Sequence, residues 1–128
     1  MELFSKSTPI AVVGASRDKS KYGYRVFHSL VLYGFRVYPV NPNAGEIDGA
    51  KAYPSISSLP EAPGLVIVVT PPSVARKVAE EACLAGAKAI WFQPGSENER
   101  AIELCRQKGV QVFHGMCFVA DCLKERLL

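Results

Sequence analysis

The chain has 128 residues, of which 48% are hydrophobic and 21% charged, and its formal net charge is +3. This balance is typical of a globular protein, and the length suits one domain over residues 1–128 that buries a core without metal or disulfide bonds. The mild charge argues against a dedicated nucleic-acid-binding protein, which would concentrate Lys and Arg in a stripe. No apolar run approaches the roughly 20 residues of a membrane span.

The beginning of the chain and its cysteines bear on the compartment. Residues 1–9 lack the apolar core of a signal peptide. The cysteines show no C-x-x-C pairing and no histidines at zinc-site spacing, which predicts free thiols in a reducing environment. We therefore expect a cytoplasmic protein without a metal site, and its free thiols would be Cys83, Cys105, Cys117 and Cys122.

The first elements in chain order are a strand, a loop, a helix and a second strand. Residues 10–13 form a short β-branched run that stops at Gly14, which predicts a central strand buried on both faces. Residues 22–33 carry apolar side chains at helical spacing, and Gly34 follows where a left-handed cap is needed. Residues 35–40 then predict a second strand.

The alternation of strand and helix continues after an irregular, proline-interrupted stretch in which only residues 50–53 suit a short strand. Residues 65–69 form the most strand-like run in the chain. Prolines after it can open a helix over 72–84, because the first turn of a helix leaves its N–H groups without partners. Gly86 supplies a stop before a further strand over 89–92.

The last third of the chain repeats the pattern once more. Ser96 and Glu99 have the spacing of a capping box, which predicts a helix from there through Lys108. Gly109 ends that helix before a strand over 110–113. We expect a short C-terminal helix over 119–127 to cover one edge of the sheet.

This alternation predicts a single doubly wound, Rossmann-like α/β domain, with a mainly parallel sheet of about five strands and helices on both faces. Ligands of such sheets bind outside the carboxyl ends of the strands, where the strand order reverses. Loops rich in Gly, Pro, Ser and Asn follow four of the predicted strands, and we expect them at one edge: 14–17, 40–42, 70–73 and 93–96.

The first of these loops has the composition of a phosphate-binding site. Its small residues let backbone N–H groups approach an anion, and the positive end of a helix dipole follows. Ser16 adds a hydroxyl, and four cations lie close in sequence: Arg17, Lys19, Lys21 and Arg25. The alternative is that Gly14 and Gly23 only shape a turn and that the cations are solvated.

A dinucleotide cofactor fits this loop less well. The dinucleotide fingerprint requires G-x-G-x-x-G and an acidic residue at the end of the second strand. Here the loop reads Gly14-Ala15-Ser16, the second strand ends in Val40-Asn41-Pro42, and Glu46 comes late. NAD is therefore disfavoured, and a nucleotide-dependent oxidoreductase or transferase remains the alternative enzyme hypothesis.

Six short motifs in order resemble the small CoA-binding domain family, which is similar to the nucleotide-binding domain of the succinyl-CoA synthetase α subunit. The motifs are V-G-A-S-R, K-Y-G, G-F-x-V-Y-P-V-N-P, L-P-E, V-V-x-P-P and W-F-Q-P-G, and the resemblance spans residues 9–117. It implies that residues 14–17 hold the phosphates of coenzyme A and that residues 40–42 border its adenine. Residues 70–72 would line the pocket and 93–95 would form its far wall.

The candidate cofactor-binding residues implied by these motifs and by the loop chemistry share a place at or near the carboxyl ends of strands. They are Gly14, Ala15, Ser16, Arg17, Lys19, Tyr22, Gly23, Val40, Asn41, Pro42, Thr70, Pro71, Pro72, Gln93, Pro94 and Gly95. One departure from the family is Gly64, where an acidic residue is common; we expect that position to face away from the ligand. A second is Gly115-Met116-Cys117, which matches the family only in part.

Catalytic chemistry is not evident from the sequence. The ligase relative uses a phosphorylated histidine from a domain that this sequence lacks, so we expect no ligase activity, and we interpret His28 and His114 as surface or capping residues. Trp91 and Phe92 are expected to be core. Cys117 follows the last predicted strand and could form a mixed disulfide with the coenzyme A thiol; a buried, inert thiol is the preferred interpretation.

Three hypotheses follow from the sequence. The first is a non-catalytic module that binds coenzyme A or a short acyl-coenzyme A as a carrier, sensor or regulatory subunit. The second is the nucleotide-dependent enzyme, and the third is a degenerate domain whose partner is another protein. We expect a small-molecule ligand and no nucleic-acid or membrane partner.

Overall fold

The computed structural model describes residues 5–119, which form seven strands, three α-helices and one 3-10 turn. The strands are β1 (Ile10–Val13), β2 (Val37–Val40), β3 (Glu46–Ile47), β4 (Ala50–Lys51), β5 (Leu65–Val68), β6 (Ala89–Phe92) and β7 (Gln111–Phe113). The helices are α1 (Tyr22–Leu32), α2 (Pro72–Leu84) and α3 (Glu99–Gln107), and the 3-10 turn is Ile56–Ser58. The predicted C-terminal helix lies outside the described residues, apart from its first position.

Five strands form one parallel sheet in the order β2-β1-β5-β6-β7. After β2 the chain crosses to the other side of β1 and adds β5, so the strand order reverses between β1 and β5. The predicted doubly wound, Rossmann-like fold is confirmed, and the position at which such folds bind ligands lies beyond Val13 and Val68.

The core has two halves, one on each face of the sheet. Strands β1, β5 and β6 are buried at every position, and alternate side chains point to opposite faces. Ile10, Val12 and Ile67 pack with α1 on one face. Ala11 and Val66 pack with α2 and α3 on the other. Because helices cover both faces, these strands need continuous apolar sequences rather than alternating ones.

Trp91 and Phe92 are core residues, as predicted, with at most 1% of their surface exposed. The Trp91 ring stacks on Phe113 at a centroid distance of 4.7 Å and meets the edge of Phe118 at 5.0 Å. Its indole N–H donates to the Met116 carbonyl at 2.9 Å, which satisfies the one polar group that the ring buries. This contact anchors the segment after β7 against the sheet.

All three helices end in the same motif, and this explains two errors in the predicted strand boundaries. In α1, Gly34 adopts φ +83°, and the N–H of Phe35 donates back to the Leu30 carbonyl at 3.1 Å. That is a Schellman ending, in which the residue after the glycine belongs to the helix terminus. The second strand therefore begins at Val37 and not at residue 35.

The other two helices repeat this arrangement. Ala87 donates to the Ala82 carbonyl after α2, and Val110 donates to the Cys105 carbonyl after α3. Val110 is thus part of the helix ending, and β7 begins one residue later than predicted. The strand predicted over 65–69 also ends one residue earlier, at Val68.

A small hairpin that the sequence analysis missed follows β2. Strands β3 and β4 pair through a turn at Asp48-Gly49, whose φ values of 51° and 77° are those of a type I′ turn. The predicted strand over 50–53 is therefore wrong in extent: β4 ends at Lys51, and Tyr53 instead forms an isolated bridge to Val40.

The turn of the hairpin is attached to α1. The Asp48 carboxylate lies 2.8 Å from His28 Nδ1 and accepts from the Tyr24 hydroxyl at 3.0 Å. The Tyr24 and His28 rings stack with centroids 5.2 Å apart. His28 is 43% exposed and Asp48 26%, so His28 is the surface residue that the sequence predicted, and its role is to hold the hairpin.

Asp48→Asn is expected to lower the free energy of unfolding by less than about 1 kcal/mol at neutral pH, because the contact between Asp48 and His28 is partly exposed. Asparagine tolerates the left-handed backbone, so this substitution removes the charge and spares the turn. The pKa of the Asp48 carboxyl is lowered mainly by its hydrogen bond with His28. The hydrogen bond from Tyr24 and the attraction of Lys19 lower it further. The stability that the Asp48 carboxylate contributes is complete at pH values above its ordinary pKa of 3.8. It is lost as the pH falls through the lower pKa of the folded state.

Urea unfolding of both proteins across the acid range measures this effect. The difference in stability between wild type and Asp48→Asn should shrink as the pH falls below 3.8. A difference that stays constant into strong acid would contradict the assignment.

Candidate functional site

The four loops singled out from the sequence lie at one edge of the sheet and are joined by hydrogen bonds. Asn41 Nδ2 donates to the Ala15 carbonyl at 2.8 Å, which ties the end of β2 to the loop after β1. The Thr70 N–H donates to Ser96 Oγ at 3.0 Å, which ties the loop after β5 to the loop after β6. We call this set of loops, residues 14–21, 41–43, 69–71 and 93–98, the carboxyl rim.

Two glycines let the backbone pack closely where the strand order reverses. Gly14 has φ +100°, and a Cβ there would overlap the Val69 carbonyl group. A Cβ on Gly23, in the first turn of α1, would overlap the Gly14 carbonyl oxygen. The loop after β1 is therefore held between the end of β5 and the N-terminus of α1, and no other residue type fits either position without backbone movement.

The helix N-termini at the carboxyl rim differ in how they are capped. Within residues 5–119, no side-chain cap hydrogen bond is present at the N-terminus of α1 or α2, and neither helix has an acidic residue in its first turn. By contrast α3 has Asn98 as its N-cap, accepting from Ala101 at 3.0 Å, and Glu99 in its first turn. The positive ends of the α1 and α2 dipoles thus lack the cap and the acidic residue that neutralise the N-terminus of α3.

The predicted capping box at Ser96 and Glu99 is wrong. The cap is Asn98, and Ser96 is buried with 3% of its surface exposed. Its hydroxyl oxygen accepts a hydrogen bond from the Thr70 N–H and does not cap a helix. Asn98 also donates from Nδ2 to the Pro72 carbonyl at 2.8 Å, so one side chain caps α3 and fixes the start of α2.

Cationic side chains surround the loop after β1. Four are exposed, and none forms an ion pair within the described part of the chain: Arg17, Lys19, Lys21 and Arg25. The Asp18 carboxylate turns back onto the loop, accepting from the Ser20 N–H at 3.0 Å and the Ser20 hydroxyl at 2.6 Å. Those bonds, with attraction from Lys21, lower the pKa of Asp18. Ser16 Oγ accepts from the Asp18 N–H at 3.0 Å, which leaves its hydroxyl proton able to donate.

The end of β2 offers amide and apolar groups. Val40 is buried in the core, Asn41 is partly buried and Pro42 is exposed. Both ends of the Asn41 side chain are used within the carboxyl rim, because Oδ1 also accepts from Asn43 N–H at 2.7 Å. Asn41 thus shapes the loop after β1, and Pro42 is the most exposed residue of this segment.

Gln93 lies at the far side of the carboxyl rim and is completely buried. Its Oε1 accepts from the Tyr22 hydroxyl at 2.8 Å and from the Phe118 N–H at 3.3 Å, while Nε2 has no partner among the described residues. The Tyr22 hydroxyl also lies 2.7 Å from Cys117 Sγ. The first turn of α1, the end of β6 and the segment after β7 therefore meet at one polar cluster of Tyr22, Gln93 and Cys117.

The remaining candidate residues lie around these groups, and Gly64 lies apart from them. Pro71, Pro94 and Gly95 are exposed at the carboxyl rim, and Pro72 is exposed at the first position of α2. Thr70 Oγ1 donates to the Pro71 carbonyl at 3.2 Å. Gly64 precedes β5 at the opposite edge, where a Cβ would come within 2.8 Å of Thr8 Cγ2. It faces away from the carboxyl rim, as the sequence predicted.

Two features of the site were missed from the sequence. That Asn98 and not Ser96 caps α3 could have been considered from the sequence, since asparagine is at least as good an N-cap as serine. The Tyr22–Gln93–Cys117 cluster had none, because its members are 71 and 95 residues apart along the chain. Among residues 5–119, no cluster of His, Cys, Asp or Glu suits a metal ion, and no helix is long and apolar enough to span a membrane.

Comparisons with known proteins give a consistent result. A family model described as a CoA binding domain matches residues 8–122. The alpha subunit of ADP-forming acetate–CoA ligase II from Pyrococcus furiosus is 32% identical, over 91% of this chain and 28% of the relative. The uncharacterised protein YneT of Bacillus subtilis is 34% identical, over 91% of this chain and 86% of the relative.

A solved structure resembles most of the chain. It is a conserved hypothetical protein from Pyrococcus furiosus, with a TM-score of 0.84 and 42% identity, covering 89% of this chain and 98% of that one. The chain thus spans 28% of the length of the ligase subunit that it resembles but nearly the whole of two smaller relatives.

Proposed function

The chain belongs to the CoA-binding domain family, and on that premise we propose that it binds coenzyme A, or a short acyl-coenzyme A, at the carboxyl rim as a non-catalytic carrier, sensor or regulatory module. The family supports the identity of the ligand, and the geometry of the carboxyl rim supports its location.

The observation that carries the proposal is the uncapped N-terminus of α1 at the position where the strand order reverses. Gly14 and Gly23 bring the loop after β1 and the first turn of α1 into backbone contact. Helix N–H groups and a helix dipole at such a position favour a phosphate group. Arg17, Lys19 and Lys21 add charge beside it, as the polyphosphate of coenzyme A requires.

The rest of the ligand would follow the carboxyl rim. Pro42 offers an exposed apolar surface for the adenine beside the loop after β1. Thr70 and Pro71 would line the middle, beside the second uncapped helix. Gln93, Pro94 and Gly95 would form the far wall, toward the thiol arm, with Pro94 and Gly95 as its exposed residues.

Two observations favour binding without catalysis. His28 is engaged by Asp48 and Tyr24, and this engagement has a structural role in attaching the hairpin. The carboxylates near the carboxyl rim, Asp18 and Glu97, are used to accept backbone N–H groups of Ser20 and Gly95. Coenzyme A binding also accords with the cytoplasmic location expected from the sequence.

Calorimetric titration of the full chain tests the proposal, with coenzyme A, NAD and ATP compared at moderate salt so that simple charge attraction is screened. Coenzyme A should bind one to one with a Kd in the micromolar range or tighter, with NAD and ATP about tenfold weaker or more. Incubated acetyl-coenzyme A, with ADP and phosphate present, should remain intact. Binding of NAD alone would favour the oxidoreductase hypothesis, and no binding of any of the three would favour a protein partner.

Cys117 is expected to stay unmodified when the native protein is incubated with the disulfide of coenzyme A. Its surface is 9% exposed and its Sγ is engaged by the Tyr22 hydroxyl, so an attacking disulfide sulfur has no direct path to it. Peptide mass mapping without reductant checks this, with Cys117→Ser as the control. A coenzyme A adduct on Cys117 would show instead that the thiol arm reaches it.

A further inference from the structure

Two thiols lie together between α2 and α3, outside the candidate site. Cys83 is the penultimate residue of α2, Cys105 lies in the last turn of α3, and their Sγ atoms are 3.9 Å apart. Cys105 is buried and Cys83 is partly buried. We propose that Cys83 and Cys105 are an oxidisable pair, and that a small-molecule disulfide converts them into a disulfide bond that joins α2 to α3.

The surrounding structure holds the two sulfurs in reach of each other. The Sγ atoms are 3.9 Å apart, whereas a disulfide needs an S–S distance of about 2.05 Å, so bond formation requires the two side chains to move closer together. The helices already share one core, and Asn98 fixes their N-terminal ends together through the Pro72 carbonyl. The bond would add a covalent link at the C-terminal ends of the same two helices.

The difference in burial sets the order of reaction. The Cys83 thiolate attacks one sulfur of the small disulfide, whose S–S bond breaks; a mixed disulfide forms, and one small thiol leaves with a proton. The Cys105 thiolate then attacks Cys83 Sγ, and the second small thiol leaves with the Cys105 proton. The protein is oxidised by two electrons, and the small disulfide is reduced to two thiols.

The second step should be slow at neutral pH. Burial first, and the neighbouring Cys83, raise the pKa of Cys105 to about 12. Little thiolate forms at neutral pH, so the intramolecular step should accelerate as the pH rises. The mixed disulfide on Cys83 should therefore accumulate before the internal bond replaces it.

The bond would stabilise the fold and leave the carboxyl rim unchanged. Both cysteines lie at the C-terminal ends of their helices, which face the edge of the sheet where the parallel strands begin. The bond would close the loop from 83 to 105, which contains β6, and should raise the Tm by about 10 °C. Because the carboxyl rim is at the opposite edge, coenzyme A titrations should not distinguish oxidised from reduced protein.

The experiment treats the native full chain with glutathione disulfide at mildly alkaline pH and maps unreduced peptides by mass spectrometry. A cross-linked peptide pair containing Cys83 and Cys105, together with the rise in Tm, is the expected result. Cys117→Ser should give the same pair, and Cys83→Ser should give none. Cys105→Ala should stop at glutathione bound to Cys83; if that variant fails to fold, the wild-type map alone decides. Glutathione that remains on Cys83 of the wild type after prolonged incubation, with no cross-linked pair, or a bond from either residue to Cys117 or Cys122, would overturn the proposal.

Discussion

Gly14→Ala is expected to lower the free energy of unfolding by about 4 kcal/mol, a loss at the upper end of what single substitutions cause. Gly14 has φ +100°, a region that alanine adopts only under strain, and the added methyl group would overlap the Val69 carbonyl. Relief requires that the loop after β1 move away from the end of β5. That movement would loosen the sheet between β1 and β5, where its strand order reverses. Urea unfolding at neutral pH measures the loss.

Gly109→Ala is the matched control for backbone strain without overlap. Gly109 has φ +80° and open space around it, so the strain alone should cost about 1 kcal/mol. Gly23→Ala isolates the overlap without the strain: alanine normally stabilises a helix by about 1 kcal/mol relative to glycine. Here a Cβ meets the Gly14 carbonyl oxygen, so destabilisation is expected. Equal losses of unfolding free energy in Gly14→Ala and Gly109→Ala, or a gain in Gly23→Ala, would contradict the close packing around Gly14 and Gly23.

Ser16→Glu is expected to weaken coenzyme A binding by at least about 30-fold, or about 2 kcal/mol, because it places a carboxylate beside the ligand phosphates. Ser16 is partly exposed and its Oγ holds only the Asp18 N–H within the loop, so the fold should tolerate the change. Calorimetric titration at fixed moderate salt measures the loss.

Ser16→Ala separates the effect of the added charge on coenzyme A binding from the effect of losing the hydroxyl. It removes one hydrogen bond to the loop and one possible donor to the ligand, so binding should weaken by less than about tenfold. The Tm of both variants should stay close to that of wild type. If Ser16→Glu binds coenzyme A as tightly as Ser16→Ala does, the phosphates are not held by this loop.

The elements that position the site were predictable because their causes are local. Strands buried on both faces require continuous apolar runs. In a globular protein, short apolar runs such as residues 10–13 and 65–68 are typical of such strands. Gly34, Gly86 and Gly109 end the three helices in the left-handed conformation, as their positions in the sequence indicated. Parallel pairing then brings the loops after the strands to one edge, whatever their own conformations are.

The errors arose where two local interpretations compete or where partners are distant in sequence. Phe35 and Val110 are good strand formers, but the Schellman endings of α1 and α3 use their N–H groups. Ser96 and Asn98 are both good N-caps, and the hydrogen bond that the Thr70 N–H donates to Ser96 Oγ decides between them. The Asp48-Gly49 turn was a readable hairpin signal, whereas its attachment to His28 depends on the packing of α1.

The most direct test of the central claim is an amide chemical-shift map of the isotope-labelled full chain during titration with coenzyme A. We predict that the largest shifts fall on the loop after β1, the first turn of α1 and Thr70. The amides of Gly86 and Gly109, at the opposite edge of the sheet, should remain unshifted. Shifts concentrated at that opposite edge, or none at all at saturating coenzyme A, would contradict binding at the carboxyl rim.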